Sequence, residues 1–122
     1  MIPIEIHMFP CLNDNYGFLL HDKESGLTAT VDTPEAETIL SELSEKNWNL
    51  THIFNTHHHA DHAGGNIAIK AATECQIIGP RADASRIPGI DKLVGDGDEF
   101  LLGRHPVRIF DTPGHTRGHI IY

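Results

Sequence analysis

The chain has 122 residues and a formal net charge of −8 with histidine neutral, room for one small domain with its own core. Hydrophobic residues make up 39% and charged residues 21%, the balance of an ordinary globular domain. The absence of any run of Lys or Arg argues against nucleic acid as a partner, and no apolar segment is long enough to span a membrane. Residues 1–6 lack the basic region and apolar core of a signal peptide, and Cys11 and Cys75 have no metal-site spacing, so two free thiols in the reducing cytoplasm are expected.

Residues 2–9 alternate apolar with polar side chains and predict a first strand, with Ile2, Ile4, Ile6 and Met8 on one side. Residues 10–15 form a turn by their Pro, Asn and Asp content. A second strand spans 16–20, a polar hairpin turn 22–26 and a third strand 27–31, together an antiparallel meander. Thr33 is placed to cap a helix, with Pro34 at its first position and Glu35 and Glu37 in the first turn, where negative charge suits the dipole. Ala36, Ile39, Leu40 and Leu43 form its apolar stripe, 45–49 breaks it, and Trp48 is read as core or as a lid over the helix end.

Residues 52–55 are mostly apolar and partly β-branched, the pattern of a short buried strand. Beyond a histidine-rich stretch, 63–66 is a turn with two glycines, and 66–72 a helix with Ile67 and Ile69 near its buried side. A buried strand follows at 75–78, then a turn at 79–81, a helical turn at 81–86 and a loop at 87–97. Two strands, 99–102 and 107–111, are joined through 103–106, and 119–122 begins a last apolar run.

Candidate metal ligands concentrate in Thr56-His57-His58-His59-Ala60-Asp61-His62, between a strand and a glycine turn, where a rigid scaffold presents a loop. His57 and His59 are two apart and point to the same side of an extended segment, while His58 points to the other. Asp61 and His62 follow as the chain turns, placed to face a second ion beside the first. Imidazole nitrogen with carboxylate oxygen suits zinc, and also iron or manganese. Thr112-Pro113-Gly114-His115-Thr116-Arg117-Gly118-His119 repeats the arrangement of a strand giving way to a turn that presents a histidine. His115 is the candidate third ligand for the ion held by His57 and His59. His119 is read as a structural, hydrogen-bonded histidine, and His7, His21, His52 and His105 as surface or satisfied core residues.

The run His-x-His-x-Asp-His at 57–62 resembles the signature of the metallo-β-lactamase superfamily. Within it, Pro10-x-Leu12-x-Asp14-Asn15-Tyr16, the segment 56–66 and the segment 112–119 are similar to glyoxalase II, the hydroxyacylglutathione hydrolase family, with the resemblance covering 2–122. It implies an α/β fold, the N-terminal half of an αββα sandwich, with a two-metal site at one edge. By matching, His57, His59 and His115 hold the first ion, and Asp61 and His62 the second, both expected to be zinc. The family's bridging aspartate, last metal histidine and helical glutathione-gripping domain all come later than the match to Tyr122, and Asp96, Asp98 and Asp111 do not occupy the bridge's place.

The implied reaction is hydrolysis of S-(2-hydroxyacyl)glutathione, typically S-lactoylglutathione to lactate and glutathione, the second step of methylglyoxal detoxification, in a cytoplasmic monomer. A hydroxide generated between two cations attacks the thioester carbonyl, one ion stabilises the oxyanion, and Asp61 orients the hydroxide as the catalytic residue. Two alternatives stand beside this reading. One is another enzyme of the superfamily, such as a sulfur dioxygenase with one iron or a lactamase-like hydrolase. The other is a metal-binding fragment without catalysis. In a half-sandwich, apolar residues such as Ile53, Ile77 and Ile109 are expected to lie partly uncovered.

Overall fold

The computed structural model describes residues 3–12, 15–57, 59, 63–112 and 118–122. A six-stranded sheet runs in the order β1 (Glu5–Cys11), β2 (Asn15–His21), β3 (Thr28–Val31), β4 (His52–Phe54), β5 (Gln76–Pro80), β6 (Lys92–Val94). The first three strands pair antiparallel, as the meander requires, and β3 to β6 pair parallel. Parallel neighbours need crossover connections. Helix α1 (Ala36–Lys46), helix α2 (Asn66–Thr73) and a 3-10 helix (Arg81–Arg86) lie along the chain between these strands. Two small ladders complete the structure, β7 (Glu99–Leu102) with β8 (His105–Arg108) and β9 (Phe110–Asp111) with β10 (Ile120–Ile121). Among the described residues, no helix is long and apolar enough to cross a membrane.

The core has two layers, one on each side of the sheet. Phe9, Leu19, Ile53 and Ile77 pack with Ile39 and Leu43 of α1 and Ile69 of α2. Phe54, Ile78 and Val94 pack with Leu102, Ile109 and Ile120. The adjacent pairs Ile53–Phe54 and Ile77–Ile78 feed opposite layers because successive strand side chains alternate, so a central parallel strand reads as an unbroken apolar run. Gly17 pairs with Phe9, whose ring occupies the space a Cβ there would need.

The structure corrects several local expectations. The apolar side of β1 faces outward: Ile6 is 63% exposed and Met8 58%, whereas Phe9 and Cys11 are buried toward the helices. Alternation gives two faces but not which one receives the covering layer. In α2, Ile69 is buried and Ile67 exposed, because positions two apart lie on opposite sides of a helix. The cap of α1 is Glu35 rather than Thr33 and carries no side-chain cap bond; the Thr33 hydroxyl is turned to Asn66 instead. Asn47, in the left-handed region at φ 58°, ends that helix. Trp48 is half-buried against the helix layer, as expected of a core residue, and it also stacks on His21, a contact the sequence did not predict.

The predicted loop at 87–97 contains β6, whose three residues pair with β5. The strand predicted at 107–111 divides into β8 and β9, with Ile109 leaving the ladder to bond Asp98 and Gly97. Ile53, Ile77 and Ile109 are fully buried, contrary to expectation. Ile53 and Ile77 face the helices, and Ile109 is covered within the second layer. The open apolar surface is formed instead by Ile6, Met8, Phe18, Phe110 and Ile121.

Candidate metal centre

The segment that carries the candidate ligands leaves β4 at Phe54. Asn55 still belongs to the sheet's hydrogen bonding, its N–H donating to the Ile78 carbonyl at 2.8 Å. The neighbouring strand β3 is followed directly by Asp32, a non-glycine residue at φ 62°, whose N–H donates to the Phe54 carbonyl at 2.9 Å. This turn brings the Asp32 carboxylate onto Thr56. It accepts the Thr56 N–H and the Thr56 hydroxyl, each at 2.7 Å.

The Thr56 hydroxyl also lies 2.8 Å from His57 Nδ1. A hydroxyl has one proton, and here it goes to the carboxylate. The ring Nδ1–H is therefore the donor to the hydroxyl oxygen, and Nε2 carries the lone pair. In a neutral ring this tautomer puts the lone pair on Nε2, one of the two ring nitrogens through which a histidine can ligate a metal, and it is selected through a partner one step removed from the ring.

His57 is almost completely buried. Its ring centroid is 4.9 Å from that of His59, at 75°, and 4.8 Å from that of His119. The structure thus brings together His57 and His59, as the spacing predicted. The expected ligands Asp61, His62 and His115, together with His58 and Asp14, lie outside the described residues.

The two ends of the second constellation are tied to each other and to the first. Thr112 N–H donates to the His119 carbonyl at 2.9 Å, the Thr112 hydroxyl is 2.6 Å from His119 Nδ1, and Ile120 N–H donates to the Thr56 carbonyl at 2.9 Å. His119 is hydrogen-bonded, as expected, but its tilted ring contact with His57 was not legible in the sequence. Gly118 lies against the Asp83 carboxylate, leaving no room for a Cβ.

The other histidines have ordinary partners. His7 faces Glu42 at 3.6 Å, His21 Nδ1 bonds the Thr28 hydroxyl at 2.7 Å, His52 Nδ1 bonds the Thr51 hydroxyl at 2.8 Å, and His105 faces Asp22 at 3.4 Å. Burial, with Lys92 nearby, holds the His52 pKa below its usual value. Cys11 and Cys75 are unpaired and buried, and burial raises both thiol pKa values. Asp96 and Asp98 accept backbone N–H groups of Asp111 and Gly95, which are turn-stabilising roles.

Sequence reasoning missed Asp32 and Thr56 as supports of the site. Their partnership spans 24 positions, and only the hydroxyl directly before His57 offered a local hint.

A helix-covered mixed sheet with a histidine pair at the exit of a central strand defines the class, and the chain belongs to the metallo-beta-lactamase superfamily, whose model matches residues 24–122. The expected α/β class and half-sandwich architecture are borne out. Among its relatives, the hydroxyacylglutathione hydrolase of Maricaulis maris is 55% identical over 122 residues, covering all of this chain and 48% of that protein. The hydroxyacylglutathione hydrolase of Rhizobium etli is 50% identical with the same coverage. The crystal structure of ETHE1 from Myxococcus xanthus superposes with a TM-score of 0.78 at 27% identity, over 98% of this chain and 52% of that one. The chain spans about half the length of the curated relatives it matches.

Proposed function

We propose that this protein is a metal-dependent thioester hydrolase that converts S-(2-hydroxyacyl)glutathione, S-lactoylglutathione above all, to the hydroxy acid and glutathione. The relatives bearing the name hydroxyacylglutathione hydrolase, 50% and 55% identical along the whole chain, support the substrate class. The observation that carries the chemistry is the contact between buried His57 and half-buried His59, with the lone pair of a neutral His57 placed on Nε2 by Thr56 and Asp32.

The donor set fits zinc: neutral imidazoles with a carboxylate, on a loop pinned to a rigid sheet. In this reading His57, His59 and His115 hold one ion, and Asp61 and His62 a second; iron or manganese would also suit these donors. When bound, the ions supply an acidified water and a Lewis acid for the thioester carbonyl. Asp61 accepts a hydrogen bond from the attacking water and orients it. Asp32 and Thr56 keep His57 from rotating or exchanging its tautomer. Two buried, unpaired cysteines agree with a reducing, cytoplasmic setting, and the protein is expected to act as a monomer without nucleic acid or membrane.

The test is zinc and iron content of the full-length protein measured beside S-lactoylglutathione hydrolysis. Zinc near two ions per chain with thioesterase turnover is expected. One iron per chain without thioesterase activity would instead favour another superfamily reaction, such as a sulfur dioxygenase.

A further inference from the structure

The loop carrying His57 and His59 is closed by neutral side chains that the reaction does not use. Asn55 precedes it at the end of β4, and Asn66 opens α2 on its far side; both are completely buried. Asn66 Nδ2 donates to Asn55 Oδ1 at 2.6 Å, joining positions eleven residues apart. The same nitrogen donates to the Pro88 carbonyl at 3.0 Å, and Asn66 Oδ1 accepts the Thr33 hydroxyl at 2.7 Å. Pro88 offers an acceptor there, which fixes the orientation of the amide. One carboxamide therefore ties together the β4 exit, the segment after the 3-10 helix and the β3 exit. Beside it, Gly65 N–H donates to the Thr33 carbonyl at 2.9 Å, and a Cβ on Gly65 would lie 2.9 Å from that same oxygen.

We infer that Asn66 is a positioning residue for the metal centre: through Asn55 and Thr33 it fixes the distance between the two ends of the ligand loop, and so the placement of the ligands within it. The inference rests on the metal-site reading above. A ligand set works only when held within about 0.5 Å of its working geometry, and a loop of this length with unlinked ends samples many conformations. Neither aspartate nor alanine can replace the asparagine in this network. Aspartate has the shape but no N–H to give, and it would set a carboxylate against the Asn55 and Pro88 oxygens. Alanine removes all three bonds.

The experiment compares the full-length protein with Asn66→Asp, Asn66→Ala, Asn55→Ala and the double variant Asn55→Ala/Asn66→Ala. Ile69→Val, a cavity in the same helix away from the loop, serves as a stability control, and His59→Ala as a site control. Zinc affinity is read by competition with a chromophoric chelator, and the urea midpoint is read on metal-free protein. Asn66→Asp and Asn66→Ala should weaken zinc binding by roughly tenfold or more, the size seen when groups supporting metal ligands are lost. Asn55→Ala should weaken it less, add little in the Asn66→Ala background, and give a readout should the Asn66 variants fail to fold. Ile69→Val should shift only the urea midpoint. Wild-type zinc affinity in the folded Asn66 or Asn55 variants, or equal weakening in Ile69→Val, overturns the inference. Unchanged zinc binding in His59→Ala overturns the metal-site reading itself.

Discussion

Replacing Thr56 by valine isolates the support of His57 with almost no change of shape. In the native arrangement the Thr56 hydroxyl donates to the Asp32 carboxylate at 2.7 Å and accepts from His57 Nδ1 at 2.8 Å. Valine deletes both bonds and leaves the Thr56 N–H to Asp32 bond, also 2.7 Å, in place. The lost bond to the carboxylate is charge-assisted, about 1.5–3 kcal/mol, and the lost bond to the buried ring is worth about 1 kcal/mol. Together that is about 3 kcal/mol against a typical domain stability of about 5–15 kcal/mol, so the variant should fold with a clearly lower urea midpoint. The larger consequence is for metal. Without the hydroxyl nothing at position 56 fixes the ring or its tautomer, and zinc affinity should fall by about 10–100-fold. Thr56→Ser keeps the hydroxyl and should stay within a few-fold of wild type. Chelator competition on the full-length variants measures both. Equal zinc affinity in Thr56→Val and Thr56→Ser would refute the role assigned to the hydroxyl.

His58→Ala should leave the metal content of the full-length protein nearly unchanged while His59→Ala lowers it sharply, read by elemental analysis on folded protein. Tyr122→Phe removes a buried hydroxyl that donates to the Asn55 carbonyl at 2.6 Å, and should cost about 1–2 kcal/mol in urea unfolding, with a smaller loss counting against that bond. The lowered His52 pKa means that the unfolded chain binds more protons than the folded one just below the ordinary value of 6.5. Stability is then complete above that pH and declines as pH falls toward the folded pKa; His52→Asn should flatten this part of the stability–pH profile. The 122 residues made alone should aggregate, bind at most about one zinc tightly and hydrolyse S-lactoylglutathione negligibly, because a three-histidine set can hold one ion by itself. The open face around Ile6, Met8, Phe18, Phe110 and Ile121 adds to this, since a few hundred Å² of exposed apolar surface forfeits several kcal/mol at roughly 25 cal/mol per Å². A monodisperse 122-residue product with two bound metals and robust turnover would refute it.

What the sequence by itself determined is what depends on neighbours along the chain. The hairpin turn at 22–26, the stripe of α1, the short apolar strand before His57 and the two-residue spacing that aligns His57 with His59 all follow from local periodicity and turn chemistry, and each stands in the structure. What only the tertiary structure decided depends on partners far away in sequence. The outward face of β1 was set by which side α1 and α2 cover, so the alternation of Ile6 and Met8 with His7 and Phe9 could not reveal it. Thr33 had a local use as a helix cap and was taken instead by Asn66, 33 positions on. Asp32 meets Thr56, and Asn55 meets Asn66, only once β3, β4 and α2 are packed together. A buried polar group must find a partner wherever the fold puts one, and that search is settled in three dimensions rather than along the chain.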